Sequence, residues 1–85
     1  MPDRCEQAFQ TAASRVATNP PSNLNVKIRD NMPNQSDWDE LNTELCKELD
    51  RIDCPIAESE LDPFWKKNRT FADLMEYIKQ NCKCN

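Results

Sequence analysis

The residue best placed for chemistry is Ser36, which opens an apolar-periodic segment with acids at Asp37, Asp39 and Glu40 directly behind it. A hydroxyl there has two uses. It caps the helix start by accepting a backbone N–H, a contribution of about 1 kcal/mol. Alternatively it carries a covalent phosphate ester, because a helix start is exposed and its dipole favours negative charge. Self-activation is excluded. The chain has no histidine, the usual base near neutral pH, so Ser-His and Cys-His pairs and most catalytic zinc sites are absent. It has no glycine either, which removes phosphate-cradling loops and the Gly-flanked serine elbow. The expectation is a protein without catalytic residues, not an enzyme.

Five cysteines, at positions 5, 46, 54, 82 and 84, are the other reactive groups. Their odd number suits a complete disulfide framework poorly, and the Cys82-Lys83-Cys84 spacing is too close for the usual zinc pair, so no metal is expected. Cys5, Cys46 and Cys82 fall at helical spacing from apolar neighbours and read as small buried hydrophobes. Cys54 and Cys84 sit beside a proline and near the C-terminus, where exposure is expected. The polar first ten residues contain no signal peptide. A cytoplasmic location is therefore expected, and with it free thiols.

Three main helices must position these groups. Cys5, Phe9, Ala12, Ala13 and Val16 draw one apolar stripe from Asp3 to Ala17, with Asp3 as N-cap and Asn19-Pro20-Pro21 as the stop. Trp38, Leu41, Leu45, Leu49 and Ile52 make a second stripe over residues 36–52, ended by Cys54-Pro55. Thr70 and Asp73 cap a last helix whose face is Phe71, Leu74, Met75, Ile78 and Cys82. Residues 18–35 carry Leu24, Val26, Ile28 and Met32 and read as an extended segment laid over an open end of the bundle, since a lone strand has no partner. Residues 55–69 hold one or two short helical turns, with Asp62-Pro63 as cap and first helical position. Phe64 and Trp65 are adjacent, so both cannot face inward from one turn, and an exposed one would mark a contact surface. Trp38 reads as core.

Charge is uneven. Residues 36–53 hold seven acids and two bases, a local charge of −5 in a chain of −4, so the rest carries +1. Some acids are expected to pair with Lys47 and Arg51 at helical spacing. Against that reading of a solvated face stands a recognition surface, Asp37, Asp39, Glu40, Glu44 and Glu48, that would steer a basic partner. The acidity argues against nucleic acid, the cluster Lys66-Lys67-Asn68-Arg69 being too short to reverse it, and no apolar run is long enough for a membrane span. One monomeric domain covering residues 1–85 is expected.

This layout resembles the acyl carrier proteins. The resemblance covers nearly the whole chain: a first helix, a long partly apolar loop, an acidic second helix opened by serine, a short third helix and a closing amphipathic one. Its best local matches are Leu45-Cys46-Lys47-Glu48-Leu49-Asp50 and Thr70-Phe71-Ala72-Asp73-Leu74-Met75-Glu76-Tyr77-Ile78. The family attaches 4′-phosphopantetheine to the serine of an Asp-Ser-Leu motif. Here Asn34-Gln35-Ser36-Asp37-Trp38 keeps the serine alone, with the apolar residue one place late. The resemblance implies an all-α four-helix bundle with three main helices, a short third one and a long first loop. It implies a carrier whose arm on Ser36 holds acyl thioesters, whose space between second and last helices shelters the chain, and whose acidic helix docks on partner enzymes of fatty acid or polyketide biosynthesis. The alternative is a cargo-free helical interaction domain with an unmodified Ser36.

Overall fold

The computed structural model describes residues 2–84 and places them in five helices: α1 (Arg4–Ser14), α2 (Ile28–Asn31), α3 (Gln35–Arg51), α4 (Glu58–Lys66) and α5 (Phe71–Asn81). The all-α expectation holds, with one addition. The long first connection contains α2, a single turn.

The apolar stripes predicted from spacing form the core. Trp38, Leu41, Leu45 and Leu49 of α3 are fully buried, as are Phe71, Leu74 and Ile78 of α5. On α1, Ala8 and Ala12 keep the stripe thin, so α1 lies along α3 in the most extensive interface of the bundle. Phe9 meets Phe71 edge-on at 6.1 Å, tying α1 to α5. Helix α1 ends earlier than expected, at Ser14. The N–H of Arg15 donates to Ala12 O in the tighter i→i+3 geometry, and Val16 leaves the helix to be buried.

The segment between α1 and α3 does what its alternating side chains suggest. Ile28 and Met32 are buried, and Leu24 packs on the core rim. Its backbone is pinned to the start of α5: Ala72 N donates to Leu24 O at 2.7 Å, Phe71 N to Val26 O at 3.1 Å and Ile28 N to Arg69 O at 2.8 Å. An isolated antiparallel bridge joins Lys27 and Thr70.

Helix α4 departs from expectation. It is continuous from Glu58, and Asp62-Pro63 lies inside it instead of starting it. Pro63 cannot donate to the carbonyl of Ser59, but that residue is exposed and the helix ends one turn later, so the lost bond falls where water replaces it. Asp62 is then free to accept from Trp38 Nε1 at 3.3 Å.

Two helix ends solve the problem of having no glycine. After α3, Asp53 takes φ 60°, with Cys54 N donating to Leu49 O and Asp53 N to Asp50 O. After α4, Asn68 takes φ 55°, with Arg69 N donating to Phe64 O and Asn68 N to Trp65 O. Both are Schellman closures with Asp or Asn in glycine's usual place. The α5 start is a full capping box: Thr70 Oγ1 accepts from Asp73 N, and Asp73 accepts from Thr70 N.

The thiol expectation is overturned. Cys5 is bonded to Cys84 and Cys54 to Cys82, with Cα–Cα separations of 5.1 and 5.5 Å. Both lie in the range that a disulfide bridges. The first clasps the beginning of the chain to its end, where Arg4 N also donates to Cys84 O at 2.8 Å. The second ties the end of α3 to the end of α5. Cys54 is buried by this pairing, contrary to its expected exposure.

Candidate functional site

The predicted site residues lie on α3. Ser36 is exposed, but it is the second residue of the helix and not its cap. Pro33 holds the preceding chain extended, and Asn34 takes the N-cap position, its carbonyl accepting from Asp37 N and Trp38 N. No side chain caps this end. The first-turn amides therefore retain capacity for an anion, which suits a phosphate ester on Ser36, while the neighbouring carboxylate of Asp37 opposes it.

The five candidate docking acids separate into two groups. Asp39 and Glu40 are exposed and Asp37 is half-buried; none forms an ion pair among the described residues. Glu44 and Glu48 are different. Arg15, delivered by the turn after α1, lies 3.8 Å from Glu44 and 2.5 Å from Glu48. Lys47 pairs with Glu44 and Arg51 with Glu48 at i,i+3 spacing, and Glu48 is buried. These two carboxylates hold α1 to α3 and leave the docking set. Helical spacing identified the local partners; the Arg15 contact crosses 33 residues and had no sequence signal.

The border of the acidic surface is drawn by Lys66. It pairs with Asp62 at 2.7 Å; that hydrogen bond, with Asp39 contributing, raises its pKa. Asp62 is correspondingly held below the ordinary carboxylate range by the Lys66 hydrogen bond, which outweighs the opposing effect of burial, with a lesser contribution from Trp38. Beyond this pair lies the basic cluster. The loop brings the segment of Lys27 and Arg29 beside Arg69 and Thr70, and Arg29 covers the Trp65 ring at 4.6 Å from its centroid. Neither adjacent aromatic is left bare. Trp65 Nε1 donates to Met32 O at 2.8 Å, and Phe64 packs against Tyr77 at 5.3 Å.

Cys46 is the free cysteine, half-buried on α3. Burial, reinforced by Glu58 and Glu60, pushes its thiol up to about 11, so it is a weak nucleophile. Asn42 beside it is buried and satisfied, donating to Glu58 O at 3.0 Å. Ligand atoms of Asp3, Cys5 and Cys84 gather within 4.8 Å, but both sulfurs are spent in the disulfide, which leaves one carboxylate and no metal donor set. Among the described residues no helix is long and apolar enough to cross a membrane.

An open cleft of about 690 Å³ lies between α1, α5 and residues 19–24, away from Ser36 and the acids of α3. No protein-family model, curated protein or solved structure matches this chain.

Proposed function

We propose that this chain is a non-catalytic helical docking module, stapled by two disulfides, that presents Asp37, Asp39 and Glu40 to a basic surface on a partner protein. The observation that carries the reading is the division among the acids of α3. Two are consumed by the protein's own cations, and three at its start form no ion pair among the described residues, Asp39 reaching Lys66 only through a longer-range attraction. Charges left unpaired on a rigid helix cost little to bring to a complementary surface and speed the encounter. The bonded cysteines favour an oxidising compartment over the cytoplasm expected from composition.

A carbodiimide cross-linking experiment in the native extract tests this. Carboxylates seated on a partner's lysines should form cross-links at Asp37, Asp39 and Glu40 that decline with salt and vanish in D37N/D39N/E40Q. Cross-links distributed over all exposed acids, insensitive to salt, contradict it.

A second reading is favoured by the exposure of Ser36 on the first turn of an unbroken α3. Here Ser36 holds a phosphopantetheine arm, which would supply a thiol for acyl cargo, and the same acids guide the carrier to its enzymes. Intact mass after incubation with coenzyme A and a phosphopantetheinyl transferase separates the two. A gain of the arm that S36A abolishes makes the module a carrier; an unchanged mass leaves it cargo-free.

A further inference from the structure

The cleft between α1 and α5 has a built apolar interior. Phe9 and Ala13 of α1 and Met75 of α5 form one side, and Pro20, Pro21 and Leu24 form the facing wall. That wall is held in place at both ends. Val16 is buried where the chain leaves α1, and the Ala72–Leu24 and Phe71–Val26 backbone hydrogen bonds anchor the other end. The two prolines have fixed φ, so the intervening chain stands off α1 without folding back to fill the space. A volume of about 690 Å³ is in the range of small-molecule sites.

The charges around the cleft select its ligand. Lys79 is its lining cation, and it is already satisfied: its ammonium lies 2.6 Å from Glu6 and 3.5 Å from Asp3. An anionic head group would find no unpaired cation here and would face the Glu6 carboxylate. A cationic ligand would have to displace Lys79 from Glu6. The remaining polar lining is uncharged: the amides of Gln10 and Asn19 and the hydroxyls of Ser14 and Ser22. These groups can donate to or accept from a hydroxyl or carbonyl without any change of charge.

We propose that this cleft binds a small uncharged amphiphile, an apolar body carrying one or two hydroxyl or carbonyl groups. The site is independent of the docking surface, since none of its lining residues belongs to α3. Either can fail without the other.

The test is displacement of Nile red, an uncharged fluorophore, from the oxidised full chain by three competitors of equal chain length: dodecanol, dodecanoate and dodecylammonium. Dodecanol should displace the dye at a concentration at least ~10-fold below either charged analogue, the equivalent of about 1.4 kcal/mol of selectivity. A13W, which fills the cleft, should abolish dye binding. If A13W does not fold by circular dichroism, S22W at the exposed edge gives the same reading. Equal or better displacement by dodecanoate overturns the proposal. So does the absence of saturable dye binding, or unchanged binding in a folded cleft-filling variant.

Discussion

Arg15 Nη1 lies 2.5 Å from Glu48 Oε2, joining the turn after α1 to the last turn of α3. Arg51 approaches the same oxygen at 3.0 Å, so one buried carboxylate is held by two cations from different elements. This contact removes Glu48 from any role in docking and gives it a structural one. Replacing it leaves Arg15 without its short partner and opens a gap between α1 and α3.

Glu48→Ala should therefore destabilise the fold by about 1–3 kcal/mol, the usual cost of losing a charge-assisted hydrogen bond at a mostly buried position. Glu40→Ala, on the exposed face of the same helix, should change stability by less than about 0.5 kcal/mol. Urea denaturation of the two variants measures the difference. Equal effects would remove the distinction between structural and docking acids.

The two disulfides should contribute unequally. Loop-closure entropy gives about 4.5 kcal/mol for the Cys5–Cys84 bond, which spans 79 residues, and about 3.6 kcal/mol for Cys54–Cys82, which spans 28. C5S/C84S should thus be less stable than C54S/C82S, by about 1 kcal/mol in guanidinium unfolding. Alkylation of the denatured chain should label one cysteine, Cys46, without reductant, and all five after reduction. Labelling of five without reductant would return the chain to the thiol state that its composition suggested.

Asn68 occupies a left-handed position at φ 55°, and its side-chain Oδ1 is buried without a hydrogen-bond partner among the described residues. Asn68→Gly relieves both costs and should stabilise the protein by about 0.5–1 kcal/mol after glycine's extra unfolded-state entropy is subtracted. Asn68→Ala should destabilise it, because alanine keeps the Cβ and loses asparagine's tolerance of this conformation. Thermal unfolding distinguishes the two directions.

Asp62 connects folding to acidity. Its carboxyl is held below its ordinary value of 3.8 by Lys66 and Trp38, so the unfolded chain takes up that proton first as the pH falls. The stabilisation is fully present above the unfolded value and is lost as the pH falls through the folded one. Asp3, lowered mainly by the Glu6 backbone N–H and by Lys79, follows the same sign. The melting temperature should drop on acidification below about pH 4, and D62N should flatten that limb without abolishing it. An identical acid limb in D62N would show that the Trp38–Asp62–Lys66 contact contributes nothing.

Three of the five helices and their buried faces were legible in the order of the residues. Spacing alone identified the stripes of α1, α3 and α5, because an amphipathic helix must bury residues three and four apart whatever it packs against. The Thr70–Asp73 cap was legible for the same reason, being a contact between residues three apart. What needed tertiary structure is every pairing of distant residues. The cysteine count gave neither the Cys5–Cys84 nor the Cys54–Cys82 bond, since the geometry that permits a disulfide depends on where two elements end in space. Lys47 and Arg51 stand within helical reach of Glu44 and Glu48 in the sequence, but Arg15, which takes hold of both from the turn after α1, has no local signal. Asp62 and Pro63 carry the local signature of a helix start, yet packing of Leu61 into the core and the Trp38 hydrogen bond favour a helix running through them. Local preferences of about 1 kcal/mol yield to burial terms that are larger and visible only once the chain has closed on itself.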